Sequence, residues 1–397
     1  MDNTISFINN NKDKIKRKNI EYSKDSPNPI FKKKQSIINE QYNNNIFEIY
    51  QLKDINNAFF IIFPTFKKND LSIYIFYYST KNYEKMVSLS SKEFGLLFIE
   101  IKYFYDPINN KEYLYILNNG ILYIYLIYNE SKYELIKIIN DISNNNYDSY
   151  YIKYFEIIHN KFDNNNYLII ISTFSIKNCF SLEERRVEIV EIKNKSYNLI
   201  KLFILKNDDF DFFRMDNLIY KDNYNKQIFI LVNDENSIKK IEIKNNYNNY
   251  NKDFQNLIDS NEDLNNFKKF IHEANYNNSC IVYDNDKDYL YISSYEGNII
   301  IIDLIKRQLI EKINLNINVN YFINWNFQYF LLISEQFFFI YDKNINKIIS
   351  KYLNIFEDKK NKYCIKTHFS KKDNFYFLFI GEKGNINYLL IKDNYKI

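Results

Sequence analysis

The residues that could carry out chemistry are few and widely spaced in this sequence. Its three histidines are His159, His272 and His368, and none has another histidine or a cysteine at metal-ligand spacing. A serine nucleophile on a strand-to-helix elbow would need a Gly-x-Ser-x-Gly motif, and none occurs. The chain has only 5 glycines, which form no phosphate-binding loop. We therefore predict that the chain is not an enzyme and that it holds no metal and no cofactor.

The cysteines point to a compartment rather than to a site. Cys179, Cys280 and Cys364 are odd in number and far apart, so neither a disulfide framework nor a Cys-x-x-Cys metal site is predicted. A reducing compartment fits this usage, which favours the cytoplasm, with the nucleus as the alternative. Lysines precede any apolar stretch at the N-terminus, so no signal peptide is expected.

Composition indicates a globular β protein. The chain has 397 residues, of which 46% are hydrophobic, 26% are charged and 18% are aromatic. Aromatic and β-branched residues favour strands, and no long stretch shows helical spacing. A net charge of +4 is small for this length, so we predict no nucleic-acid partner and, at most, a peripheral contact with membranes.

Two regions differ in composition. Residues 1–40 carry two runs of basic residues, which indicate a largely disordered basic tail. The functional alternative is that this tail localises the protein or tethers it to an acidic surface. Residues 41–397 predict a single domain with a polar insertion around residues 245–266.

The elements that would have to position any site are short, recurring apolar runs. The clearest unit, Tyr289–Ile313, predicts three strands separated by turn residues. Similar units recur along the chain at spacings between 40 and 62 residues, with second strands starting at Ala58, Tyr113, Tyr167, Gln227, Tyr289, Tyr329 and Phe375. The shorter spacings match the period of four-stranded propeller blades, and the longer ones require loop insertions. Both faces of each unit are apolar, so radial stacking of the units is needed to bury them.

The unit Tyr289–Ile313 resembles a WD40 repeat. It combines a strand ending in Ser293-Ser294, a turn with Glu296-Gly297 and a strand ending in Ile302-Asp303. The resemblance implies an all-β fold, a seven-bladed β-propeller of four-stranded antiparallel blades, closed by an N-terminal strand. The Gly-His and Trp-Asp pairs of the family are absent, because no histidine follows a glycine and Trp325 is followed by asparagine.

Two assignments of the closing strand stay open. Residues 46–52 would either close the ring or form the first strand of the first blade. In the second case, Ile37–Tyr42 or Thr4–Ile8 would close the ring.

The resemblance implies a non-catalytic protein-interaction scaffold, a subunit or adaptor in a multiprotein complex with other proteins as partners. We single out Arg185, Arg186 and Trp325 as candidate partner-binding residues. The alternative is a phosphoinositide- or membrane-recruited propeller, since propellers that bind these lipids carry a paired-arginine motif. Here Glu183 and Glu184 precede the arginines and would repel a phosphate. An enzyme with carboxylates on the central axis, or two β domains that divide near Asn245–Asn266, are the remaining readings.

Overall fold

The computed structural model describes part of the chain, and the account below is confined to that part. The described residues are 31–38, 47–53, 55, 58–64, 70–77, 83–90, 94, 98–140, 149–175, 183–193, 196–205, 219–222, 227–234, 237–242, 254–256, 280–284, 287–293, 298–315, 319, 321–324, 328–334, 337–353, 364–370, 375–382 and 385–392. Thr4–Ile8, Trp325, His272 and most of the predicted insertion around residues 245–266 lie outside them.

Strands pair in groups of four, and each group follows the chain order. Five groups are named here as blades: blade A (β2 Glu48–Tyr50, β3 Ala58–Pro64, β4 Asp70–Tyr77, β5 Tyr83–Ser90), blade B (β6 Phe98–Asp106, β7 Lys111–Asn118, β8 Ile121–Asn129, β9 Lys132–Ile139), blade C (β10 Ser149–Asn160, β11 Asn165–Ser175, β12 Glu183–Lys193, β13 Ser196–Leu205), blade D (β18 Cys280–Asp284, β19 Tyr289–Ser293, β20 Asn298–Asp303, β21 Gln308–Asn314) and blade E (β22 Tyr321–Asn324, β23 Tyr329–Ile333, β24 Phe337–Asp342, β25 Lys347–Leu353). Two further groups are β14 Ile219–Asp222, β15 Gln227–Asp234, β16 Ser237–Glu242 and β17 Phe254–Asn256, and then β26 Cys364–Ser370, β27 Phe375–Glu382 and β28 Asn385–Lys392 with β1 Phe31–Ile38.

The apolar pattern of each strand follows its position within the blade. Middle strands such as β3 and β20 are buried along almost their whole length, so their sequences are continuous apolar runs. The outermost strands β9 and β21 face solvent on one side and alternate partly buried with exposed residues. The unit Tyr289–Ile313 forms the three predicted strands, which are β19, β20 and β21.

A shared irregularity marks the five blades as variants of one unit. The third and fourth strands of each blade slip in register by one residue, at Ile73/Tyr74, Ile124/Tyr125, Ile189/Val190, Ile301/Ile302 and Ile340/Tyr341. Such a bulge bends the outer strand and increases its twist.

The prediction of seven blades needs correction. Antiparallel four-stranded sheets recur as predicted, but the packing of the described side chains defines five blades, A to E. The groups β14–β17 and β1/β26–β28 are established by backbone pairing alone. The spacing of apolar segments along the chain predicts how many strands form, whereas a packed blade depends on the apolar side chains that it buries on both faces.

The first strand of each blade lies innermost, next to the axis about which the blades are arranged. Strand β2 lies against β6, β6 against β10 and β18 against β22, while β2 also lies against β26. The beginning and the end of the chain are therefore adjacent. An N-terminal strand, β1, pairs with β28 at the edge of the last sheet. Residues 31–38 thus form a strand inside the predicted tail, and β2 is the first strand of blade A.

The core is divided among the contacts between neighbouring blades. One apolar cluster joins blades A and B, a second joins blades B and C, and a third joins blades D and E. Aromatic rings fill the third cluster, where Tyr291 of blade D lies 4.7 Å, centroid to centroid, from Phe330 of blade E in an edge-to-face arrangement. Each fully buried large apolar side chain contributes about 1.5–3 kcal/mol, so these contacts stabilise the junctions between neighbouring blades.

Candidate functional site

The topology sorts the turns onto two ends of the blades. Because neighbouring strands are antiparallel, the turns between strands one and two and between strands three and four lie at the same end of every blade. We call this end the turn face and define it by the ordered turns 107–110, 161–164, 304–307 and 343–346. A contact between blades supports the assignment, since Lys287 Nζ in blade D donates to the backbone oxygen of Lys343 in blade E at 2.7 Å.

Asx side chains hold these turns in one shape. Asp303 Oδ1 accepts hydrogen bonds from the backbone amides of Ile305 (3.0 Å) and Lys306 (2.8 Å). Asp106 accepts in the same way from Ile108 and Asn109, Asn160 accepts from Phe162, and Asp342 accepts from Asn344. The last residue of each turn has a positive φ, which asparagine tolerates well; these residues are Asn110, Asn164, Arg307 and Asn346.

Each ordered turn exposes one large apolar side chain. Four of the seven exposed large hydrophobic residues among the described residues lie on the turn face: Ile108 at 44%, Phe162 at 38%, Ile305 at 60% and Ile345 at 55% exposure. We call these four residues the turn tips. Single exposed apolar residues are ordinary, but four of them at one end of the blades make this end a candidate interaction surface.

The charge on the turn face is mainly positive. Seven lysines in or next to its described turns are exposed: Lys53, Lys111, Lys132, Lys161, Lys193, Lys306 and Lys347. The aspartates that begin the turns at Asp106, Asp303 and Asp342 are buried and accept hydrogen bonds. Among the carboxylates of the same described turns, Asp163 is exposed and Glu130 and Asp288 are partly exposed. Asp163 Oδ2 accepts a hydrogen bond from Tyr167 at 2.7 Å. The surface is therefore suited to an anionic partner.

A second charged group lies on the innermost strands. Lys102 Nζ of blade B lies 3.1 Å from Glu100 Oε1 and 2.6 Å from Glu156 Oε2 of blade C, and Tyr154 lies beside it. Burial lowers the pKa of Lys102, but the carboxylates of Glu100 and Glu156 outweigh this effect and raise it overall. The ammonium stays protonated and fixes both carboxylates, so the group links two blades.

The outermost strands carry a third feature. Tyr128 is 52% exposed at the end of β8, its hydroxyl donates to Glu134 Oε2, and Lys132 Nζ lies 4.7 Å from the centre of its ring. Leu135 on β9 and Ile310 on β21 are also exposed. We call these three residues, Tyr128, Leu135 and Ile310, the outer-strand rim. Strand β9 pairs only with β8, so its other edge carries the backbone groups that edge strands present to partners.

Of the predicted partner-binding residues, the structure places the side chain of Arg186 away from these surfaces. Arg185 and Arg186 lie in strand β12 rather than in a loop. Arg186 is 1% exposed, and its Nη1 lies 3.9 Å from Oε1 of the buried Glu188. Trp325 is outside the described residues. A partner-binding role for the three residues remains a prediction.

Sequence reasoning missed the turn tips, although a local signal was present. In three turns, an Asp or Asn at the strand end is followed two residues later by a large apolar residue, at Ile108, Phe162 and Ile305. Polar turns rarely carry such residues, so this spacing could have identified them.

Other site types find no support within the described residues. No group of three His, Cys, Asp or Glu side chains among them is arranged to hold a metal ion. His159 Nδ1 lies 3.0 Å from Asn166 Oδ1, a contact between neighbouring strands of blade C. The described residues include no helix that is long and apolar enough to span a membrane.

Comparison with known proteins gives structural matches. No protein-family model and no curated protein matches the sequence. Among solved structures, the CNH domain of AfRom2 matches with a TM-score of 0.54 at 10% identity, covering 92% of this chain and 100% of that one. Saccharomyces cerevisiae Sqt1 matches with a TM-score of 0.56 at 8% identity, over 89% of this chain and 98% of that chain. BBS1N, solved in complex with ARL6DN, matches with a TM-score of 0.54 at 8% identity, over 93% and 98%.

The fold is a WD40-like β-propeller. At these identities the matches establish the fold alone. In blades D and E the third strand ends in an aspartate, Asp303 or Asp342, which begins the following turn. Aromatic packing such as that of Tyr291 against Phe330 joins these two blades.

Proposed function

We propose that the chain is a non-catalytic protein-interaction scaffold, a subunit or adaptor in a multiprotein complex. The observation that carries the proposal is the outer-strand rim of blade B. Tyr128 is exposed and yet held by Glu134 and Lys132, and Leu135 is exposed on the adjoining edge strand. An aromatic side chain that is already ordered loses little conformational entropy on binding, which is a property of interface hot spots.

The backbone of β9 strengthens the proposal. An edge strand can bind an extended segment of another protein by adding a strand to the sheet. Lys132 and Lys137 on β9 discourage indiscriminate pairing of such edges, so a partner would have to complement their charge. The structural neighbour BBS1N was solved with another protein, ARL6DN, which is consistent with a protein partner.

Two further predictions from the sequence, phosphoinositide recruitment and cellular location, differ in their support. Recruitment to phosphoinositides through Arg185 and Arg186 is not part of it, because Arg186 is buried beside Glu188. A cytoplasmic location rests on the cysteine usage, as does the nuclear alternative.

The test is affinity capture from the native cell with three versions of the full chain. These are the wild type, the rim variant Tyr128→Ala with Leu135→Asp, and the control Ile310→Asp on the rim of blade D. We expect wild type and control to retain a defined set of co-purifying proteins, from which the rim variant loses at least one member. All three must show the same thermal unfolding midpoint.

Two results would count against the proposal in different ways. If all three versions capture the same set, the rim of blade B is not the docking surface. If the wild type captures no protein beyond those found with an unrelated propeller, the scaffold function itself is wrong.

A further inference from the structure

We propose that the turn face is a peripheral docking surface for anionic membranes. The four turn tips would enter the interface between headgroups and acyl chains, and the exposed lysines would contact acidic headgroups. The proposal goes beyond the scaffold function, and its test changes residues other than Tyr128, Leu135 and their neighbour Lys132, so each proposal can fail without the other.

The positions of the turn tips favour a broad, flat partner. Ile108 and Phe162 lie on turns between the first and second strands of blades B and C, near the axis. Ile305 and Ile345 lie on turns between the third and fourth strands of blades D and E, toward the outside. A surface that contacts all four at once has to extend across the whole end of the propeller, as a bilayer does.

The surroundings of the turn tips argue against a protein partner on this face. Protein interfaces concentrate their hot spots in a central, desolvated cluster. Here each apolar tip stands on its own turn and is separated from the next by polar turn residues such as Asn109, Asp163 and Asn344. Apolar side chains next to lysines suit a membrane interface, because binding there grows with the apolar area that is buried and with the attraction of the lysines to anionic lipids.

Charge complementarity identifies the class of membrane. Seven exposed lysines lie in or next to the described turns, where Asp163 is exposed and Glu130 and Asp288 are partly exposed. Two of these lysines are already paired, because Lys193 Nζ lies 2.9 Å from Glu191 Oε1 and Lys306 Nζ lies 3.6 Å from Asp303 Oδ2, which still leaves an excess of positive charge. Lysines near the surface of a membrane are attracted to acidic lipids, and the attraction falls off within a Debye length. Binding should therefore require acidic lipid and should weaken as salt is added.

The turns are already ordered for such a contact. Each tip follows an Asx side chain that accepts backbone hydrogen bonds, and each turn ends in a residue of positive φ. Ile305 and Ile345 are the most exposed tips and form the natural pair for substitution.

The experiment is flotation of the purified full chain with lipid vesicles. One set is phosphatidylcholine with about one third phosphatidylserine, and the other is phosphatidylcholine alone. Each set is tested at about 0.1 M and about 0.5 M salt. The wild type should float with the acidic vesicles at low salt only.

Two variants and a control locate the contact. Ile305→Asp with Ile345→Asp should reduce binding at least about tenfold, because both tips lose their apolar contact and add negative charge. Lys161→Glu with Lys347→Glu should reduce binding at low salt. Ile310→Asp makes the same isoleucine-to-aspartate change on the outer-strand rim and should leave binding unchanged. Equal thermal midpoints establish that the variants fold.

Each contrary result overturns the proposal. These results are no flotation of the wild type, equal flotation with both kinds of vesicle, or wild-type binding by the Ile305/Ile345 variant. Loss of a co-purifying protein in that variant, without vesicle binding by the wild type, would make the turn face a protein interface instead.

Discussion

Two junctions between neighbouring blades each contain a lysine paired with carboxylates, but the two lysines differ in burial and in the number of these partners. At the junction of blades D and E, Lys343 Nζ lies 3.3 Å from Asp284 Oδ1, and both side chains are completely buried. At the junction of blades B and C, Lys102 lies near the axis between Glu100 and Glu156 and keeps some exposure to solvent. We therefore expect the buried junction of blades D and E to depend on a single residue more strongly than the junction of blades B and C, where a second carboxylate and water remain.

The largest effect is expected at the buried junction. Asp284→Ala would remove this carboxylate from the buried ammonium of Lys343, whose Nζ lies 4.9 Å from the centre of the Phe330 ring. We expect a loss of about 3–5 kcal/mol in the free energy of unfolding, because the change removes one partner of a buried ion pair and leaves the other. Urea unfolding of the full chain measures it.

A double variant tests the cause of that loss. Asp284→Leu with Lys343→Met removes both charges and should recover most of the stability, since an apolar pair of similar volume costs little. If the double variant is as unstable as Asp284→Ala, the charge pair is not the reason for the loss.

The next largest loss of stability is expected from a steric clash at Gly120, at the junction of blades B and C. Gly120 has a φ of +78°, and its backbone oxygen accepts a hydrogen bond from the amide of Ile152 in blade C at 2.9 Å. A Cβ at this position would lie 2.3 Å from Cδ2 of Tyr151. Gly120→Ala should therefore cost about 2–4 kcal/mol, from the unfavourable φ and from displacement of the tyrosine ring.

The neighbouring residue provides the control for this change. Asn119 also has a positive φ, of 49°, so Asn119→Gly should keep or slightly raise the stability. Equal unfolding midpoints for Gly120→Ala and the wild type in urea would show that blades B and C can separate at this point without cost.

The strands differ in how well they could be predicted from the sequence. Strands were predictable where both faces are buried, because the apolar run is then continuous; Ala58–Phe63 was expected and β3 is Ala58–Pro64. Strand β1 was placed in the tail because its Lys32-Lys33-Lys34 run is typical of a solvated segment, although lysines are also common on edge strands.

The site was harder to predict than the strands. Arg186 was predicted to contact a partner, but it lies in strand β12 two residues before Glu188 and therefore on the same face, where the two side chains pair inside the blade. The turn tips depend on turn geometry, which fixes which residue of a polar loop points outward. The count of blades failed for a related reason, because spacing along the chain does not report packing between sheets.

A smaller effect is expected for the charged group near the axis. Glu156→Gln removes one carboxylate from Lys102, but Glu100 remains 3.1 Å from the ammonium. We expect a loss of about 0.5–1.5 kcal/mol, the range for a hydrogen bond that is weakened while its partner stays paired. Removing both carboxylates, in Glu100→Gln with Glu156→Gln, should cost more than twice the single change in urea unfolding. A strictly additive result would mean that the carboxylates do not compensate for each other.

The smallest effect is a pH dependence at the same junction of blades B and C. Burial raises the pKa of Asp106, but hydrogen bonds from the side chains of Asn109 and Asn166 and from the amides of Ile108 and Asn109 outweigh it and lower the pKa overall. Asn166 belongs to blade C, so the ionised carboxylate joins the two blades. A lowered folded-state pKa means that the stabilisation is present above about pH 4, the unfolded value, and is lost as the pH falls through the folded value.

Substitution of Asp106 isolates this contribution. Asp106→Asn keeps an oxygen to accept the turn hydrogen bonds but cannot titrate, so its thermal midpoint should fall less than that of the wild type between about pH 6 and about pH 3. Asp163→Asn, on the neighbouring turn, changes the net charge equally without touching the bonds of Asp106 and serves as the control. If acidification lowers the thermal midpoints of Asp106→Asn and the wild type by the same amount, the Asp106 carboxylate does not stabilise the junction of blades B and C. In that case, the group of Lys102 alone distinguishes this junction from the junction of blades D and E.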